Sequence, residues 1–127
     1  MSELRIGMIG LDTSHCGLII KSLNYEDDAH FVAGGRIVGA YPGGSQLCAV
    51  SRDRVGKFTD ETRDKHGIPI YDSIEKLAEY TDAIIMTSVD GRQHLEQFET
   101  LAPLGKPVFL DKPFTCSFED ARKIVDL

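Results

Sequence analysis

Two stretches of the chain hold residue types that can do chemistry at useful spacing. Asp111-Lys112-Pro113 follows the apolar run "PVFL" at 107–110. Proline restricts the backbone of the residue before it. An ammonium fixed in this way at the end of a buried strand can exchange a proton with a hydroxyl or hold it by a hydrogen bond. His94 stands eighteen residues before Lys112, at the opening of a helical pattern. The second stretch is Gly10-Leu11-Asp12-Thr13-Ser14-His15, where an apolar strand passes into a helix. It occupies the place of a G-x-G-x-x-G turn, with an acid and an imidazole replacing two of the three glycines. Amides at a helix start attract a phosphate, and the Thr13 and Ser14 hydroxyls add donors. Asp12 works against this, by repelling an anion a few ångströms away. On that reading Asp12→Gly tightens phosphate binding by roughly 5- to 30-fold. Asp12 also qualifies as a helix cap. His15 reads either as a packed, hydrogen-bonded side chain or as a titratable group facing a crevice.

The elements that must position these residues alternate. Strand patterns cover 4–10, 36–41, 68–71, 82–89 and 107–110, and the proline in "IPIY" (68–71) marks an end or edge position. Helical patterns cover 14–24, 53–66 with Gly67 behind it, 72–80 opened by Asp72-x-x-Glu75, and 92–105 stopped by Pro103 and Gly105. A last helix follows the cap Ser117. Strands separated by helix-length segments predict a Rossmann-type, doubly wound parallel α/β sheet. Ligands of such sheets bind beyond the carboxyl ends of the strands, where the strand order reverses. That rule selects Gly10–His15, Tyr41–Ser45, Thr87–His94 and Asp111–Phe114.

Totals narrow the function classes. A net charge of −6 with scattered basic residues argues against a nucleic-acid partner. No apolar run approaches a membrane span, and the N-terminus lacks a signal-peptide pattern. Three cysteines, Cys16, Cys48 and Cys116, without C-x-x-C spacing, fit a reducing compartment, so a cytoplasmic protein is expected. Asp12, His15, Asp90, His94 and Asp111 should converge on one edge of the sheet, but their spacing matches no metal motif, and no metal is expected.

The segment "KPVFLDKPFTCSFEDARKIV" resembles the "GK-x-V-x-x-EKP" segment and following capped helix of the glucose-fructose oxidoreductase/inositol dehydrogenase/MocA family, with Asp111 in place of the glutamate. His94 stands where that family has the histidine of an Asn-x-x-His element, although "VDGRQH" lacks the asparagine. The resemblance implies an N-terminal nucleotide-binding domain, spanning 1–127, followed by a C-terminal α+β substrate domain that is not in this chain; the final helix reaches Leu127 with neither cap nor breaker, as if cut. It implies an oxidoreductase using NAD or NADP to move a hydride from a sugar, cyclitol or related polyol hydroxyl. Lys112 and His94 are then the catalytic candidates. Gly10, Asp12, Thr13, Ser14, His15, Ser45, Thr87, Ser88 and Asp111 are the cofactor-binding candidates. The second strand ends in "GAYPGGSQ" with no acid for ribose hydroxyls, while Ser45, Arg52 and Arg54 lie nearby, which favours NADP. A homo-oligomer is expected for the full-length protein. The alternative is a non-catalytic Rossmann-like module that binds a ligand or partner through the altered turn.

Overall fold

The structure, a computed structural model, describes residues 3–127. Strands β1 (Leu4–Ile9), β2 (Gly35–Tyr41), β3 (Ala83–Met86) and β4 (Val108–Leu110) form one parallel sheet in the order β2-β1-β3-β4. Ile9 of β1 lies opposite Tyr41 of β2 and Met86 of β3, so three strands end level with one another. Helices α1 (Ser14–Asn24), α2 (Ala49–Asp60), α3 (Ile74–Glu79), α4 (His94–Leu101) and α5 (Phe118–Asp126) connect and follow them.

Alternation along β1 divides the core. Ile6 and Met8 join Leu11, Cys16, Ile20, Ile37 and Ile68 in one apolar cluster. Ile9 joins Leu77, Ala78, Ile84, Met86 and Leu101 in the other. The sheet is thus buried on both faces, as continuous apolar strands require.

The fold class is the expected one, with local differences. Residues 68–71 make only an isolated bridge, Ile70 to Ala40. Ala40 N–H donates to Pro69 O and Tyr71 N–H to Ala40 O, and Pro69 has no N–H with which to extend the ladder. The second helix begins at Ala49 rather than 53 and continues as a π-helical turn, Glu61–Lys65. Ser73, not Asp72, caps α3 by accepting from Lys76 N–H. The helix expected over 92–105 is α4 flanked by two 3₁₀ turns, Gly91–Gln93 and Ala102–Leu104, and ends at left-handed Gly105. Ser117 caps α5, as its sequence position indicates.

Cys16 sits in the first cluster with its thiol against Thr13 O. Burial pushes this thiol up to about 11 from an ordinary 9.0. The unfolded thiol ionises first, so the contribution to stability is full below pH 9 and is lost as pH rises toward 11. Denaturant titrations at pH 8 and pH 11 should show an alkaline loss of about 2–3 kcal/mol in the native protein. Cys16→Ala should remove most of it; an unchanged alkaline loss in that variant would discharge Cys16 from the effect.

Candidate functional site

The chain leaves β1 toward β2 on one side and passes from β3 to β4 on the other, so the strand order reverses between β1 and β3. The loops after these two strands meet there. Gly10 turns the chain with φ +97°, and its amide donates to Tyr41 O while that of Leu11 donates to Pro42 O. Across the junction Thr87 N–H donates to Ile9 O, and Thr87 Oγ1 donates to Gly10 O at 2.7 Å.

Asp12 follows the turn, and no part of it reaches solvent. One carboxylate oxygen accepts from Val89 N–H at 3.1 Å, and the other accepts from Ser51 Oγ at 2.7 Å. Burial raises the Asp12 carboxyl pKa; the bonds from Ser51 and Val89 act against that shift and only partly offset it. Asp12 therefore neither caps α1 nor faces a phosphate: Thr13 is the cap, accepting from His15 N–H. The expected repulsion of an anion by Asp12 is corrected accordingly, because its carboxylate points into the protein toward two donors.

Ser51 extends this arrangement. Its hydroxyl accepts from Ser45 N–H, while Ser45 Oγ donates to Asp90 at 2.6 Å. Asp90 also accepts a two-toothed hydrogen bond from Arg92 and caps the 3₁₀ turn at Arg92 N–H. The Arg92 guanidinium holds the Asp90 carboxyl far below the usual carboxylate range, with the Ser45 hydroxyl adding to it. Gln93 Nε2 donates to Gly44 O. Residues 43–51 thus form a strap that crosses the reversal point and is tied to the loops after both β1 and β3.

Several candidates turn out to hold the frame. Ser45, Thr87 and Ser88 are buried. The Ser45 hydroxyl is spent on Asp90 and the Thr87 hydroxyl on Gly10 O, while Ser88 Oγ donates to Gln97. His94, expected as a catalytic group facing the crevice, is completely buried. Its Nε2 faces Ser88 O at 2.7 Å and its Nδ1 faces Phe114 O at 2.9 Å. This ring joins the loop after β3 to the loop after β4, and both nitrogens are occupied. Arg54, a candidate for a 2′-phosphate, donates to Asp12 O and lies over Phe58. Arg52 bonds Gln46 O and pairs with Asp53.

The remaining candidates face outward together. His15 Nδ1 lies 2.6 Å from Asp111 Oδ2, which links the start of α1 to the end of β4. The other oxygen of Asp111 accepts from Lys112 N–H at 2.8 Å. Burial acts to raise the Asp111 carboxyl, but the bonds from His15 and Lys112 outweigh it and hold it below its ordinary value. Lys112 is exposed and precedes Pro113 through a cis peptide bond; among the described residues its ammonium has no hydrogen-bond or ion-pair partner. Ser14 is exposed, and the Thr13 and Ser14 amides carry no hydrogen bond among the described residues. Asp12, His15, Asp90, His94 and Asp111 do reach one edge of the sheet, but in separate pairings, and no group of three metal-binding side chains forms among the described residues.

Sequence reasoning missed Ser51, Gln93 and Gln97. The last two, with Tyr41, Gly43, Gly44 and Ser73, line a cleft of about 290 Å³ beside the end of β2. Ser51 precedes the helical pattern read over 53–66 and lies in the first turn of α2, and nothing in "AVSRDRV" marks it as buried.

A doubly wound parallel sheet with a glycine turn at its reversal point defines a Rossmann domain of the nucleotide-binding kind. The chain belongs to the oxidoreductase family with an NAD-binding Rossmann fold, whose model matches residues 4–127. No curated protein sequence matches it. Among solved structures, a dehydrogenase from Clostridium difficile is 25% identical with a TM-score of 0.63, the alignment covering 98% of this chain and 35% of that one. The WlbA dehydrogenase from Bordetella pertussis, solved with NADH and UDP-GlcNAcA, gives a TM-score of 0.72 at 16% identity, covering 98% and 34%. A myo-inositol 2-dehydrogenase from Lactobacillus plantarum gives 0.67 at 18%, covering 98% and 32%. The chain spans about a third of the length of these structures. Among the described residues no helix is long and apolar enough to cross a membrane.

Proposed function

We propose that this chain is the nucleotide-binding part of an NAD(P)-dependent oxidoreductase that acts on a hydroxyl of a sugar, cyclitol or related polyol. The observation that carries the reading is the set of groups at the reversal point: amides of Thr13 and Ser14 at a helix start and an exposed Lys112, none of them with a partner among the described residues. These residues fit a dinucleotide in two respects. The carboxylate that threatened a phosphate at this turn is turned inward, leaving the α1 terminus free to receive one. The cleft along Tyr41, Gly43, Gly44, Gln93 and Gln97 has room and hydrogen-bonding groups for a nucleoside. The strap at 43–51 passes between these two places.

When bound, the nicotinamide supplies hydride exchange. The protein's own part is to hold and orient. Lys112, whose carbonyl side is fixed by Pro113, meets the substrate hydroxyl. Asp111 and His94 set the path of the loop that carries Lys112. The substrate half of the site belongs to the additional length that the solved relatives have, and the assembled protein is a homo-oligomer in this proposal. The choice between NAD and NADP rests on the cleft beside β2, since Ser45 and Arg54 already have internal partners.

Calorimetric titration with NAD, NADH, NADP and NADPH is the direct test. Binding of one pair in the micromolar to low millimolar range is expected, and silence toward all four would favour a non-catalytic ligand- or partner-binding module. In a protein extended to the length of its relatives, Lys112→Ala should lower kcat by about 100-fold, the range for loss of a group positioned on the reacting hydroxyl. Nucleotide affinity should change less than about twofold, since Lys112 is not assigned to the phosphate. Unchanged turnover would remove Lys112 from the reaction.

A further inference from the structure

His15 and Asp111 make an arrangement that the nucleotide fold does not need. His15 stands where a G-x-G-x-x-G turn has its last glycine, and its ring reaches from the start of α1 to the carboxylate at the end of β4. Its main-chain amide is held by Thr13 Oγ1. The Asp111 carboxylate is held from its other side by Lys112 N–H. The ring therefore has a fixed orientation, with Nδ1 toward the acid. Nε2 points away from that bond and has no partner among the described residues; the side chain is 38% exposed, against 18% for Asp111. A carboxylate that accepts from Nδ1–H leaves the lone pair on Nε2, where a proton can be taken up. His94 is the contrast, with both ring nitrogens against carbonyl groups and no access to solvent.

We propose that His15, oriented by Asp111, is the proton-transfer residue of this site. The proposal rests on the oxidoreductase reading above. As the substrate's C–H bond breaks, its electron pair leaves as hydride to the oxidised nicotinamide. The hydroxyl proton passes to His15 Nε2, the carbon–oxygen double bond forms, and the resulting imidazolium is neutralised by Asp111. Lys112, next to Asp111 in the chain, holds the same hydroxyl. The reverse reaction returns the proton from Nε2.

The test uses the chain itself and reads histidine reactivity rather than turnover. Diethyl pyrocarbonate acylates a free imidazole nitrogen, and peptide mass spectrometry gives the rate at each histidine. Exposed His30 serves as the reference. His15 should react about tenfold faster than His30 despite its lower exposure, and Asp111→Asn should cancel that advantage. His94 should stay unmodified. Saturating NAD, with binding followed in parallel by calorimetry, should protect His15. If NAD binds and His15 is no faster than His30, indifferent to Asp111→Asn, or unprotected, the assignment is overturned while the nucleotide reading stands. If NAD and NADP both fail to bind and His15 is still activated through Asp111, the nucleotide reading falls and takes the proton-transfer assignment with it, while the reactivity of the pair itself stands. Failure of both measurements overturns both.

Discussion

Gly10→Ala is expected to leave little folded protein. The residue has φ +97°, a region that L side chains rarely adopt. A Cβ there would lie 2.3 Å from Ser88 N and 2.6 Å from Ser88 Cα, both backbone atoms. Ser88 cannot withdraw cheaply. The preceding residue is bonded to Ile9 O, Ser88 O meets His94, and Ser88 Oγ bonds Gln97. Backbone strain of about 1–3 kcal/mol adds to an overpacking cost of about 1–3 kcal/mol or more. The sum, about 2–6 kcal/mol or more, reaches the lower end of an ordinary domain's stability, about 5–15 kcal/mol. Soluble yield and a circular-dichroism melt would check this. A melting temperature within a few degrees of the parent would show that the two loops can part at this junction, contrary to the packing described.

The second large effect belongs to Asp12. Asp12→Ala removes the acceptor of both Ser51 Oγ–H and Val89 N–H in a place without water access. A buried donor left unpaired costs about 1–3 kcal/mol, so a loss of about 2–5 kcal/mol is expected in denaturant titration. Asp12→Asn keeps one acceptor oxygen and should recover about half of that. Neither variant should tighten nucleotide binding by more than about twofold, because the carboxylate is turned away from the helix start. An Asp12→Ala protein of parental stability with clearly tighter nucleotide binding would restore the reading in which the charge repels phosphate.

That reversal shows what the residue pattern could and could not tell. The strand over 4–10, the turn at Gly10 and the helix at Ser14–Asn24 were legible because each is fixed by neighbours in sequence: an apolar run, a glycine, a capping hydroxyl. Lys112 at a strand end was legible for the same reason. The partner of Asp12 was not, since Ser51 lies 39 residues away in a helix whose charged neighbours suggest solvent. His94 was placed correctly along the chain but not in depth. A histidine at a helix start reads alike whether its ring faces a crevice or two main-chain carbonyls, and only the folded loops that bring Ser88 O and Phe114 O to the ring decide. Thr87 and Ser88 were drawn into the ligand set by a rule about strand ends. Their hydroxyls instead close the loops on one another. Periodicity identified each element, but Pro69 shortened one predicted strand to a single bridge because pairing depends on which amides are available.

The strap has a consequence for how such a sequence can change over generations. Ser45, Ser51 and Asp12 are joined in series to Asp90 and Val89, each satisfying the next. A lineage that placed glycine at position 12 alone would strand the serine and the amide that depend on it, and one that lost Ser51 alone would leave a buried acid with a single remaining donor, Val89 N–H. Substitutions among contacting members of one network are not additive. The order in which they arise therefore matters, and most single first steps lower fitness through stability before any ligand is met. Glycine at positions 12 and 15 therefore calls for matching replacements at Ser51 and its partners as well, so the turn and the strap can change only together.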